Sequence, residues 1–235
     1  MALRAVFLDL GETLLTTRLP RFEIYAQAAR DRNRDVTAGE MRSLMGRVHH
    51  ALPERLDGAP RYSDPWFAEF IRRIFGAELG FAGAELAAIT AELFARFEDP
   101  ATFCVYPGAE ELFAAVRARG LALGIVSNWS ARLPRLLARL GWAERLDFAL
   151  ASAIVGTEKP SPGIFAAALS RAGARPEEAL HAGDHPELDV AAARAVGIEG
   201  VLVDHAGACP DAAAADGSCV RDLRELRSYI LDRAE

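Results

Sequence analysis

Of the 27 basic residues in this chain a single one is lysine, Lys159, set in the stretch GTEKPSPGIF. Arginine presents a broad planar fork, whereas lysine carries a compact charge on a slender stem. A lone lysine between a glycine-led loop and a Pro-x-Pro helix start therefore fits a narrow site that holds an anion. Three aspartates extend the pattern: Asp9 in FLDLGETLL, and Asp184 and Asp189 in AGDHPELD. Three carboxylates crowded together repel unless a cation joins them, and magnesium prefers a few carboxylate oxygens with several waters. An aspartate can also attack phosphorus and form an acyl phosphate that water later hydrolyses. Asp9 is the candidate nucleophile. Thr13 and Ser127 offer hydroxyls, Asn128 an amide and Lys159 a charge, all able to hold the oxygens of a phosphoryl group.

These residues lie far apart in sequence, so a fold must gather them. Five short apolar runs read as buried strands: AVFLDL (5–10), LALGIVSN (121–128), FALAS (148–152), ALHAGD (179–184) and GVLVD (200–204). Helix-like segments at 108–120, 131–140, 160–172 and 187–196 alternate with them, which implies an α/β fold with a parallel sheet covered on both faces. Asp9, Ser127 with Asn128, and Asp184 fall at the carboxyl ends of their strands, and Lys159 in the loop after FALAS. Strand ends diverge there and helix amino termini present free N–H groups, so that edge is where ligands bind. Residues 16–99 differ. PRFEIYAQAARDRNR, TAGEMRSLMGRVHHAL, DPWFAEFIRRIFGAEL and GAELAAITAELFARFED read as four amphipathic helices, an all-helical insertion between the first strand and the rest. The expected organisation is a core of 1–15 and 100–235 with a helical cap of 16–99.

A net charge of −6 without a basic run argues against a nucleic-acid surface. No apolar run approaches membrane-spanning length, and the amino terminus reaches an aspartate too early for a secretory segment. Cys104, Cys209 and Cys219 are odd in number and form no close metal-ligand pair, which reads as three reduced thiols in a cytoplasmic protein. The alanine run 212–215 reads as a loop or the start of a last helix. The expected partner is a small phosphorylated metabolite, and the oligomeric state stays open.

Taken in order, FLDLGETLL, IVSNWS, the Lys159-Pro160 pair and AGDHPELD followed by VAAARAVGIEGVLV resemble the four motifs of the haloacid-dehalogenase-like hydrolase superfamily. The likeness is to members with a helical cap after the first strand, and to a phosphatase-like branch known from a rhythmically expressed gene product. It implies a Rossmann-like core, Asp9 as nucleophile, Ser127 and Lys159 as phosphate ligands, and Asp184 with Asp189 as the acidic metal motif. It also implies a metal contact from the main-chain carbonyl of the residue two past the nucleophile. Phosphatases of the superfamily usually carry an acid/base aspartate there, and this chain has Gly11. Positioned acid–base groups are worth roughly 10²–10⁴-fold, so hydrolysis could be slow or restricted to good leaving groups. Glu12 is adjacent, in a turn that could point it away.

Three functions follow: a magnesium-dependent phosphohydrolase, a phosphate-binding regulatory protein with little turnover, and a metal-independent 2-haloacid dehalogenase. Asp184 argues against the last, because dehalogenases lack that acidic residue. The phosphonate-cleaving route needs a cap lysine, and 16–99 has none. Arg18, Arg21, Arg61, His49, His50 and Trp66 are the cap residues whose chemistry could reach a substrate, and His185 is the loop histidine beside Asp184.

Overall fold

The structure, a computed structural model, describes residues 2–207 and 218–234. Cys209 and the alanine run 212–215 lie outside the described residues. In chain order the elements are β1 (Ala5–Leu8), β2 (Leu15–Thr17), α1 (Arg21–Arg30), α2 (Ala38–Ala51), β3 (Arg55–Leu56), β4 (Ala59–Pro60), α3 (Asp64–Ile71), α4 (Gly83–Arg96) and β5 (Phe103–Val105). They continue as α5 (Ala109–Ala118), β6 (Ala122–Ser127), α6 (Leu133–Arg139), β7 (Phe148–Ala151), α7 (Ser152–Val155), α8 (Pro162–Ala172), β8 (Ala179–Gly183), α9 (Ala192–Ala195), β9 (Glu199–Val203), β10 (Cys219–Val220) and α10 (Leu223–Arg233).

Six strands form one sheet in the order β10-β9-β8-β1-β6-β7, every pairing parallel. Helices cover both faces, so the architecture is the Rossmann-like α/β core expected. Side chains alternate across a strand, and β1 shows what that does here. Val6 and Leu8 join Leu112, Phe113 and Leu226 from α5 and α10 on one face, while Ala5 and Phe7 join Ile164 and Phe165 of α8 on the other. β1 lies between β6 and β8, with Leu8 opposite both Ile125 and Ala182. Asp9 and Asp184, which follow β1 and β8, and Ser127, the last residue of β6, are thereby brought to one edge.

Helices α1 to α4 carry a hydrophobic cluster of their own, with Ile24, Met41, Trp66, Phe75 and Ile89 at its centre. The start of α2 is fixed by a capping box, Thr37 accepting from the Glu40 amide while Glu40 accepts from the Thr37 amide. After α3 the chain continues through a π-helical turn at Arg72–Glu78. Four helical segments were expected and all four occur.

Five features depart from expectation, the first being an antiparallel β3–β4 ladder, Leu56 opposite Ala59, inside the segment expected to be all-helical. β2 and β5 form a small antiparallel ladder, Leu15 opposite Val105, where the chain leaves the sheet region and returns to it. β10 extends the sheet by a sixth strand, and the expected helix at 187–196 is a π-helical turn, Pro186–Ala191, followed by α9. Strands of two or three residues are too short for an apolar period to announce them. The last departure concerns the thiols. Cys104 is free, but Cys219 is disulfide-bonded. An odd cysteine count excludes complete pairing, not one pair, so the expectation of three reduced thiols is corrected. Among the described residues no helix is long and apolar enough to cross a membrane.

Candidate active site

Asp9 follows β1 directly, and its backbone N–H donates to the Ala182 carbonyl at 2.9 Å, which ties it to the end of β8. It is 7% exposed, and Lys159 and Asp189 are more deeply buried still. The ammonium of Lys159 donates to Asp9 Oδ1 at 2.6 Å and also to Asp189 Oδ1. Asp189 is held from two further directions. His181 Nε2 lies 2.9 Å from its Oδ1, and the His185 N–H donates to its Oδ2 at 3.0 Å. That approach requires Gly183, because a Cβ there would lie 2.2 Å from Asp189 Cγ.

Lys159 is placed by its backbone. Asn128 accepts from the Lys159 N–H and donates to the Lys159 carbonyl, both at 2.8 Å, and the Lys159-Pro160 peptide is cis. Asn128 was expected on substrate oxygens, and instead its amide clamps the lysine across 31 residues of sequence. Thr13 is fully buried, and its hydroxyl donates to Asp184 Oδ1 at 3.3 Å. The polar atoms of both make hydrogen bonds within the site. Ser127 is buried at the end of β6, beside Asp9 in the sheet order.

The charges do not balance within the protein. Burial pushes the Lys159 ammonium down, but Asp9 and Asp189 outweigh it and hold the lysine above its ordinary value. Asp189 is held well below the usual carboxylate range, burial being overcome by Lys159 and His181. Asp9 is lifted by burial against the pull of Lys159. Asp184 is pushed up to about 6, first by burial and then by the charges of Asp9 and Asp189. Three carboxylates and one ammonium leave two formal negative charges, the complement of one divalent ion. Asp9, Asp184 and Asp189 each offer an oxygen, all within 4.8 Å of one another. An all-oxygen donor set of this size and charge fits magnesium, which keeps waters in its remaining positions.

Gly11, two residues past Asp9, is packed. A Cβ added there would sit 3.2 Å from Cζ3 of Trp129, so an added side chain would press on the indole and require it to give by a few tenths of an ångström. Glu12 does not replace it. Its backbone is left-handed, at a φ of 57°, and its carboxylate is exposed and accepts from the Thr16 hydroxyl at 3.0 Å. Nearby, the ring of His205 stacks on Tyr106 at 3.6 Å and its Nε2 lies 2.9 Å from the Thr13 carbonyl.

The residues proposed from the helical segment divide clearly. Trp66 is fully buried and donates to the Pro53 carbonyl, and His49 packs 5.4 Å from its ring. His50 is exposed on α2. Arg18 donates to the Ala101 carbonyl, and Arg61 pairs with Glu158, the neighbour of Lys159, at 3.2 Å. Only Arg21 lines a cavity that reaches Gly11. His185, considered an outer partner of a metal, has its ring Nδ1 accepting from the Glu187 and Leu188 amides.

Sequence reasoning missed His181, Trp129 and Arg132. A histidine inside an otherwise apolar strand two residues before Gly183 was the available signal for the first. Arg132 donates to both oxygens of Asp64, pairs with Glu98 at 2.5 Å and lies 4.0 Å over the Phe94 ring. It joins the loop after β6 to α3, α4 and the segment after α4, and nothing in the sequence marked it among 26 arginines.

A parallel sheet whose carboxyl edge gathers a buried aspartate, a shared ammonium and two further carboxylates defines an α/β protein with a helical insertion and a buried acidic site. Residues 3–197 match the model of the haloacid dehalogenase-like hydrolase family, and the chain belongs to it. It is 34% identical over 237 residues to haloacid dehalogenase-like hydrolase domain-containing protein 3 from Mus musculus, covering 98% of this chain and 93% of that protein. A phosphoserine phosphatase from Thermus thermophilus is 38% identical over 176 residues, 71% of this chain and 70% of that protein. A shorter match, 43% identical over 84 residues, covers 34% of this chain and 32% of the rhythmically expressed gene 2 protein from Drosophila melanogaster. The phosphatase-like branch of the superfamily is the right setting for the chain.

Proposed function

We infer that the protein is a magnesium-dependent phosphohydrolase acting on a small phosphate ester through an aspartyl-phosphate on Asp9. The observation that carries this reading is the buried Lys159 ammonium shared by Asp9 and Asp189, with Asp184 alongside. The similarity to a phosphoserine phosphatase supports the reaction class without naming the substrate. An Asp9 carboxylate oxygen attacks phosphorus, the bond from phosphorus to the leaving oxygen breaks, and the phosphoryl group rests on Asp9. Water then attacks phosphorus, inorganic phosphate departs and the carboxylate is regenerated. Lys159 and Ser127 hold phosphoryl oxygens. Lys159 also lowers the repulsion between Asp9 and an incoming anion. Asp9, Asp184, Asp189 and the Gly11 carbonyl would hold magnesium, which when bound supplies positive charge beside the phosphoryl group.

The direct test is phosphate release from acetyl phosphate and 4-nitrophenyl phosphate. Turnover should require magnesium, stop on chelation and return on its addition. Magnesium should also raise the melting temperature, since a ligand at 100 times its Kd stabilises by about 2.7 kcal/mol. Release that is indifferent to chelator would overturn the metal-dependent reading, and halide release from 2-haloacids under chelator would favour dehalogenation.

A second reading, a phosphometabolite-binding regulator with little turnover, has one observation in its favour, the glycine at position 11 closed over by Trp129. Restoring the acid separates the two. Gly11→Asp alone should gain little, because Trp129 crowds the side chain. Gly11→Asp combined with Trp129→Leu should raise kcat on alkyl phosphates about 10–100-fold and add a basic limb to the pH profile, the mark of a group that must be protonated to act. Magnesium-dependent phosphate binding without any wild-type turnover on activated substrates would establish the regulatory reading.

A further inference from the structure

We propose that the site is selective for phosphate monoesters with an aryl leaving group, a ring-bearing phenol or enol rather than a polyhydroxy or amino-acid skeleton. The proposal rests on the phosphohydrolase reading and concerns what sits on the far side of the scissile bond. A cavity of about 100 Å³ begins at Gly11 and Asn128, the neighbours of the nucleophile and of the lysine, and runs toward the helical segment. Its walls are mostly aromatic and apolar, Leu15, Phe67, Phe94, Phe97, Phe103 and Trp129 among them, with Glu12, Thr16, Thr17 and Ser130 as polar lining. Of the two arginines on it, Arg132 is taken up by Asp64 and Glu98, and Arg21 is exposed. A sugar or amino-acid ester would press hydroxyl, amino or carboxylate groups against phenyl faces, and each polar group left unpaired weakens binding about 5–150-fold. A flat ring suits the aromatic walls, which it meets by edge or offset stacking.

The second observation is chemical and independent. The leaving oxygen has no acid beside it at position 11, and Glu12, the acid on the cavity wall, is engaged by the Thr16 hydroxyl, so the oxygen departs as an anion. Phenols ionise near pH 10, whereas alcohols resemble water, near 16. An aryl oxide leaves without a proton and an alkoxide does not. Trp129 joins the two observations, because the indole packed beside Gly11 is also a wall of the cavity. In the balanced step Asp9 forms a bond to phosphorus, the electron pair of the phosphorus–oxygen bond stays on the aryl oxide, and that oxide takes its proton from solvent.

The test compares kcat/KM for 1-naphthyl phosphate, phosphoserine, glycerol 3-phosphate and acetyl phosphate, the last being activated yet too small to fill the cavity. Naphthyl phosphate should exceed both aliphatic esters by at least about 100-fold. In Phe67→Ala the ratio of naphthyl to acetyl phosphate should fall about tenfold, the effect of removing one ring from the wall. Phe67→Leu, which keeps an apolar side chain, gives the same readout should the alanine variant fail to fold. An aliphatic ester turned over as well as the naphthyl ester overturns the selectivity and leaves the phosphohydrolase standing. A naphthyl to acetyl ratio unmoved in both variants shows that the ring does not sit there and overturns it too. Absence of Asp9-dependent release from acetyl phosphate and every ester removes the phosphohydrolase reading and this proposal with it.

Discussion

Asp9→Asn lowers magnesium-dependent phosphate release at least about 10⁴-fold, on activated and unactivated esters alike. The amide keeps the size and shape of the carboxylate but has no charged oxygen to attack phosphorus, and loss of a covalent nucleophile is not compensated by the rest of a site. The lysine retains a partner, because Lys159 also donates to Asp189. The protein should therefore stay folded, with an unchanged circular dichroism spectrum and a melting temperature that still responds to phosphate analogues. This separates a chemical defect from a structural one. Activity within tenfold of wild type would remove Asp9 from the chemistry and leave the shared ammonium without a catalytic explanation. A burst experiment adds a positive check: wild-type protein quenched in acid should carry an acid-stable, alkali-labile phosphoryl group, and Asp9→Asn should carry none.

The sheet was readable because its central strands are buried on both faces, so AVFL, ALGIVS and ALHAG stand out as continuous apolar runs. The chemical residues were readable for a related reason. A polar group at the end of such a run lies at the one edge where buried strands open, and Asp9, Ser127 and Asp184 all lie there. What could not be read is which polar atoms satisfy one another. Asn128 and Thr13 have the right groups for a phosphoryl ligand, yet a sequence does not reveal that a backbone 31 residues away, or a carboxylate 171 residues away, engages them first. Asp189 was chosen as a metal ligand by position, while the histidine that helps hold its charge lies on the preceding strand, facing the same way as Gly183. The ladder joining β2 to β5 was invisible because three residues carry too little period to register. Gly11 is the most instructive position. Its identity was a visible departure from the superfamily pattern, but only the indole packed over it turns an absence into a shaped surface.

Lys159→Met should be the most damaging single change to stability and among the most damaging to turnover. The side chain is 3% exposed and its ammonium serves two buried carboxylates at once. Removing one partner of a buried ion pair leaves uncompensated charge and costs about 3–5 kcal/mol, here in the metal-free protein. Urea denaturation with chelator should show that loss. The carboxylates are also the candidate magnesium ligands, so a divalent ion supplies the charge the lysine no longer brings, and magnesium should stabilise Lys159→Met more than it stabilises wild type. Turnover should stay about 10²–10³-fold below wild type even with saturating magnesium, because a donor aimed at the phosphoryl oxygens is gone. Lys159→Arg should not rescue it. Asn128 fixes both backbone groups of residue 159, so the longer, planar guanidinium has no room to withdraw from a site shaped around a slender stem. An arginine variant with near-normal stability and activity would show that the position needs only positive charge, and the rarity of lysine in this chain would then carry no structural meaning. The opposite result, magnesium rescuing stability but not catalysis in the methionine variant and neither in the arginine variant, ties this one lysine to both the fold of the site and its chemistry.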